Sequence, residues 1–168
     1  TALVNSISCH GADNGQIVIS VVGGSQPYTY SWNDGATTKD RTDLAPGTYT
    51  VTITDNNGCT TTVTETVTEP TLIVSSATLT TPSCYGANDG AITLSVSGGS
   101  ESYTFNWSDG PTTQNRTGLT AGTYSVFITD SNGCSLTNSF TIEETDILLA
   151  TALVNSISCH GADNGQIV

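Results

Sequence analysis

Residues 44–59 read LAPGTYTVTITDNNGC, and residues 119–134 read LTAGTYSVFITDSNGC. Tyr49, Val51 and Ile53 alternate with Thr in the first stretch; Tyr124, Val126 and Ile128 alternate in the same way in the second. A period of two places each trio on one face of a half-buried strand. The Asp-x-Asn-Gly that follows is hairpin chemistry, because Asn and Gly accept the positive φ of a tight turn. The Leu-x-x-Gly-Thr-Tyr that precedes matches a tyrosine corner, where a phenol near the start of the penultimate sandwich strand bonds to backbone just upstream.

Outward from these stretches the pattern continues. Ile17, Ile19 and Val21 alternate, as do Ile92, Leu94 and Val96; Tyr28, Tyr30 and Trp32 alternate, as do Tyr103, Phe105 and Trp107. In the last strand Val63 and Val67 share a face, matched by Asn138 and Ile142, with Leu136 and Phe140 on the same face. Gly-Gly and Asp-Gly clusters separate the runs, and no stretch keeps a helical period. The first strand is less regular and is expected over residues 71–83 and again over 146–158.

The runs recur. Residues 151–168 repeat residues 1–18 letter for letter, and residues 1–75 align without a gap on residues 76–150 with 35 identities. Gapless repetition of this length describes successive modules, not one large domain. Six or seven short strands per repeat predict an all-β fold of tandem immunoglobulin-like β-sandwich repeats of about 75 residues. The expected units are 1–70 and 71–145. Residues 146–168 supply the first strand and the start of the second strand of an incomplete third, so the chain reads as a window on a longer array. Trp32, Tyr49, Trp107 and Tyr124 are the expected core anchors.

Composition narrows the function. The chain has 168 residues, fifteen acidic and three basic, and a formal net charge of −12. Three cations cannot neutralise a row of phosphates, so nucleic acid is not an expected partner, nor is an anionic membrane surface. No apolar run is long enough for insertion into a bilayer.

The run C-x-G-x-x-x-G-x-I, then GGS-x-x-Y-T-x-x-W-x-DG, then L-x-x-GTY-x-V-x-ITD-x-NGC resembles the SprB repeat family along both full units. Members of that family occur in large surface adhesins of gliding Bacteroidota. The resemblance implies an extracellular, cell-surface location reached by type IX secretion, and a role in adhesion or gliding.

Cysteines form two series, Cys9, Cys84 and Cys159 in the first turn of each unit and Cys59 and Cys134 in the last hairpin. No Cys-x-x-Cys pair or His cluster suggests a metal, so disulfides are favoured. In an immunoglobulin-like order the two turns lie at opposite ends of a unit, roughly 25 Å apart for strands of about eight residues. A bridge needs Cα atoms within about 7 Å. Head-to-tail stacking brings the bottom of one unit to the top of the next, which favours an inter-repeat Cys9–Cys134 pair. Cys59, Cys84 and Cys159 would then find partners outside the window. Intra-repeat pairs Cys9–Cys59 and Cys84–Cys134 are the alternative, and free thiols the third.

Catalysis is not expected. Cys9-His10 could be a nucleophile and base, but Tyr85 takes the His10 place in the second unit. No cofactor is expected; calcium is the weak alternative, with Asp34, Asp55, Asp109 and Asp130 as hard oxygen ligands at repeating turn positions. Such Asp residues also serve ordinary Asx-turns. Thr rows at 48–54 and 60–68 read as an outward, soluble strand face. The Trp and Tyr residues sit on inward parity, which leaves His10 and Tyr85 as the turn exceptions and no evident sugar-stacking aromatic. Arg41 and Arg116 recur at one position and are expected to pair with a carboxylate. The expected function is a structural stalk segment of a secreted filamentous adhesin that extends and bears load in attachment or gliding. Its partners are neighbouring repeats, a polysaccharide or solid surface, or laterally associated chains. The alternative is a multivalent carbohydrate- or surface-binding module with one weak site per repeat.

Overall fold

The computed structural model describes residues 1–156, 158–161 and 163–167. Among them there is no helix, hence none long and apolar enough to cross a membrane. The first six strands are β1 (Ala2–Asn5), β2 (Gly15–Ile19), β3 (Thr29–Trp32), β4 (Arg41–Leu44), β5 (Gly47–Thr54) and β6 (Thr60–Val67). The next six repeat them: β7 (Val74–Thr80), β8 (Gly90–Ser97), β9 (Thr104–Trp107), β10 (Arg116–Leu119), β11 (Gly122–Thr129) and β12 (Ser135–Ile142). A last hairpin pairs β13 (Val154–Asn155) with β14 (Gln166–Ile167), the counterpart of β1 with β2.

Each unit is two three-stranded antiparallel sheets. In the first the orders are β1-β2-β4 and β3-β5-β6; in the second, β7-β8-β10 and β9-β11-β12. These are the A-B-E and C-F-G sheets of an immunoglobulin constant-type sandwich with strand D absent. The immunoglobulin-like assignment therefore rests on strand pairing itself. The long hairpins β5–β6 and β11–β12 each run eight consecutive pairs without a shift, from Gly47↔Val67 to Thr54↔Thr60 and from Gly122↔Ile142 to Thr129↔Ser135.

Each unit has its own core. Ile17, Trp32, Leu44, Val51 and Val67 meet in the first; Ile92, Trp107, Leu119, Val126 and Ile142 meet in the second. Full burial of one such side chain contributes roughly 1.5–3 kcal/mol. The tryptophans sit at 4 % and 2 % exposure, and each indole N–H reaches a carbonyl: Thr38 at 2.7 Å and Thr113 at 2.8 Å. The tyrosine corners are present, with Tyr49 Oη donating to the Ala45 carbonyl at 3.0 Å and Tyr124 Oη to that of Thr120 at 3.1 Å. Both tyrosines are half-buried at the core's margin because the phenol must reach that carbonyl. They close the corner more than they fill the core. The first strands are shorter than the expected spans. β7 begins only at Val74, and the preceding Ile73 is buried, 6 % exposed.

Candidate functional site

The feature that sets this chain apart from two unconnected sandwiches lies where the units meet. It is built from three structures.

The first is the β11–β12 turn. Asp130 is 6 % exposed and its carboxylate accepts three backbone N–H groups: Ser100 at 2.9 Å, Asn132 at 2.9 Å and Cys134 at 2.9 Å. Those bonds hold its carboxyl below the usual aspartate value, with the Ser100 amide as the largest cause. They also tie the β8–β9 loop to the turn and orient the backbone of Cys134. Asn132 adds a side-chain bond to Ser100 Oγ at 2.8 Å.

The second is the β1–β2 turn. Ala12 N–H closes on the Cys9 carbonyl at 3.0 Å, and Ser8 N–H donates to Asn14 Oδ1 at 3.1 Å. Glu69 Oε2, from the chain leaving β6, accepts Gly11 N–H at 2.8 Å and lies 3.3 Å from His10 Nδ1.

The third is the linker. Gly99 N–H donates to the Thr71 carbonyl at 2.7 Å, and Ile73 is buried beside the β8–β9 loop. Gly98 has φ +80°, and a Cβ there would sit 1.9 Å from the Leu72 carbonyl oxygen. Only glycine fits under that backbone.

Together these place the first turn of one unit against the last hairpin of the next. Cys9 and Cys134 are bridged with Cα atoms 5.6 Å apart, across 125 residues of sequence. Asn132 Nδ2 also donates to the Ser8 carbonyl at 3.1 Å across the junction. An open crevice of about 300 Å³ remains beside the bridge, lined by His10, Leu72, Ile73 and Gly99 among others.

Cys59, Cys84 and Cys159 are exposed and unbridged. Their loops are nonetheless formed as at the junction. Asp55 accepts Ser25, Asn57 and Cys59 N–H at 3.0, 2.9 and 2.8 Å, and its carboxyl is lowered, the Ser25 amide being the first cause. Ser83 N–H donates to Asp89 Oδ1 at 2.9 Å, Gly86 N–H to Glu144 Oε1 at 3.2 Å, and Ser158 N–H to Asn164 Oδ1 at 3.1 Å.

The four aspartates considered for calcium are not brought together. Asp34 and Asp109 give both oxygens to Arg41 and Arg116, the closest at 2.7 Å in each pair. Those hydrogen bonds lower both carboxyls. Asp55 and Asp130 lie at the other end of their strands and are occupied by backbone amides. Among the described residues no group of three or more His, Cys, Asp or Glu could hold a metal.

Two features escaped the residue-by-residue reading. The arginines were expected to pair with a carboxylate, but each also stacks on aromatic rings: Arg41 lies 5.3 Å from Trp32 and 5.8 Å from Tyr49, and Arg116 repeats this on Trp107 and Tyr124. Finally, an outward aromatic exists: Phe127 falls between inward Val126 and Ile128 and is 47 % exposed. Its outward parity is legible from the alternation of Val126, Phe127 and Ile128.

Paired sandwiches with a bridged head-to-tail junction define a modular, repeat-built protein. Residues 1–37 and residues 76–112 each match the family model of the SprB repeat. The matches span β1–β3 and β7–β9, the first half of each unit. No curated protein matches. Among solved structures, a C-terminal 282-residue fragment of intimin, in complex with the intimin-binding domain of the translocated intimin receptor, is similar at 14 % identity and TM-score 0.44. The alignment covers 83 % of this chain and 64 % of that fragment. The amphioxus IgVJ-C2 molecule is similar at 14 % identity and TM-score 0.35, covering 80 % of this chain and 98 % of that one.

Proposed function

We propose that the chain is a stalk segment of a secreted, cell-surface adhesin, non-catalytic, whose work is to extend from the cell and bear load during attachment or gliding. The observation that carries this reading is the bridged junction: a repeat unit joined end to end with its neighbour by Cys9–Cys134, in a chain whose third unit begins with the letters of the first. SprB repeats support the surface location; export by the type IX route follows from the same resemblance. Cys59, Cys84 and Cys159 serve the adjoining junctions. The reading is tested by immunogold labelling of intact cells that make the protein, with antibody against residues 1–168. Gold along thin fibres at the surface is the expected result; label confined to the cell interior or to compact particles rejects it.

A second reading has one observation in its favour. The outer face of the β9-β11-β12 sheet carries Asn106, Ser125, Thr137, Ser139 and Phe127 and no charged residue, in a chain of net charge −12. A neutral hydroxyl face around one exposed ring suits a neutral polysaccharide, held weakly once per pair of units, since Thr52 takes the Phe127 place in the first, and strengthened by repetition. A glycan array probed with multimerised chain and with F127A separates the readings. Binding that F127A abolishes favours the module; silence favours the plain stalk.

A further inference from the structure

A bridge shortens the covalent route through a chain. Cys9 follows β1 and Cys134 precedes β12. Tension applied at Thr1 therefore passes along β1, crosses the sulfurs and leaves along β12. Residues 10–133 form a closed loop beside that route. The loop holds β2 to β11, including Ile17, Trp32, Val51, Ile92, Trp107 and Val126, the greater part of both cores.

A second route is laid out in parallel. Cys59 precedes β6 and Cys84 follows β7, just as Cys134 precedes β12 and Cys159 follows β13; both spans are 25 residues. The strands of the two routes lie side by side in each unit. Ile7 N–H, just past β1, donates to the Thr68 carbonyl, just past β6, at 2.9 Å. Ser6 Oγ and Thr68 Oγ1 are 2.9 Å apart. In the second unit Asn138 Nδ2 of β12 donates to Ser75 Oγ of β7 at 3.0 Å, and Thr145 Oγ1 donates to the Pro82 carbonyl.

The outer ends of the pair match each other. The Cys59 hairpin repeats the Asp-centred bonding of the Cys134 hairpin, and the Cys84 turn repeats the Ser–Asx and Gly–Glu bonds of the Cys9 turn. The occupant each end fits is another unit of this same kind, seated as the first unit is on the second.

We infer that the array carries tension along two parallel covalent lines, each alternating a first strand, a disulfide and a last strand, so that the two cores are shielded from the pull. The use of this device rests on the stalk reading; its geometry does not. An unbridged sandwich lengthens when its core unfolds, by about 3.6 Å for every residue released. A bridged one has no such length to give, because the released residues are closed into a loop.

The test is to pull residues 1–168 from both ends, in a C59S/C84S/C159S background where only the Cys9–Cys134 bridge can form. Those three thiols are exposed, so folding is not disturbed; circular dichroism at zero force checks this. Without reductant, extension is limited to residues 1–8 and those after 134. With reductant, the 125 residues spanned by the bridge add about 450 Å of contour at ~3.6 Å each, in two events, one per core. A further C9S/C134S change gives the full length under both conditions. Equal extension with and without reductant in the bridged background overturns the inference, as does a non-reducing peptide map lacking the Cys9–Cys134 pair. Loss of the hidden length while surface fibres persist removes the shielding and leaves the stalk. A locked length in a protein absent from the surface does the reverse.

Discussion

The carboxylate of Asp130 accepts the amide of Cys134 at 2.9 Å, so the residue that shapes the hairpin also orients the backbone whose sulfur crosses to the other unit. Asp55 makes the same bond to Cys59 at 2.8 Å, where the thiol is free and exposed. The loop is thus prepared by its own hydrogen bonds, and the bridge closes on a structure that is already there.

Acid should loosen the hairpins. Asp55 and Asp130 have lowered carboxyls when folded, so their stabilisation is present above the unfolded value near about 3.9 and is lost as pH falls through the lower folded values. The melting temperature is expected to be flat, as far as these groups are concerned, from neutral pH to about 5, and to fall below about pH 4. A D55N/D130N variant should start lower at neutral pH and show a shallower acid limb in a calorimetric pH series.

Removing the bridge should cost more than removing any other thiol. In the chain-entropy picture, cross-linking a loop of 125 residues stabilises by about 4–5 kcal/mol. C9S and C134S should each lose much of that in guanidinium titrations, whereas C59S and C84S should be near neutral, both thiols being exposed and unbridged.

Gly98 and Gly23 occupy the same place in the two units, with φ +80° and +78°, but only Gly98 lies beneath a linker carbonyl. Both alanine variants carry strain of about 1 kcal/mol from the positive φ. G98A must additionally displace the Leu72 backbone, so it should cost clearly more than G23A and slow formation of the Cys9–Cys134 bridge during oxidative refolding.

The two cores should fail separately. I17A and I92A each truncate a side chain with 0 % exposure, at an expected cost of about 2–5 kcal/mol. With the bridge reduced, calorimetry of either variant should resolve one lowered transition and one unchanged.

R41A and R116A remove a guanidinium that stacks on Trp and Tyr and forks onto Asp. A loss of about 1–2 kcal/mol is expected, with a shift in tryptophan emission as Trp32 or Trp107 gains water.

Much of the fold was legible because strand alternation and turn chemistry are local. The parity of Val51 and Val126 follows from adjacent letters, and both are buried. The repeat was legible because identical letters recur at a fixed spacing. Arg41 was only half legible: its recurrence was visible, but not the rings it would lie against, since Trp32 and Tyr49 come together only when β3 pairs with β5. Gly98 differs from Gly23 for a reason no local reading contains, because the carbonyl above it belongs to the linker between units.

Sequence alone determined that this chain repeats a small all-β unit with cysteines in its first turn and last hairpin, because period, turn residues and copy number are properties of neighbouring letters. It favoured an inter-repeat Cys9–Cys134 bridge but left intra-repeat pairs and free thiols open. Only the tertiary structure decided which sulfurs meet, because residues 125 apart come within 5.6 Å solely through the stacking of one unit's end on the next.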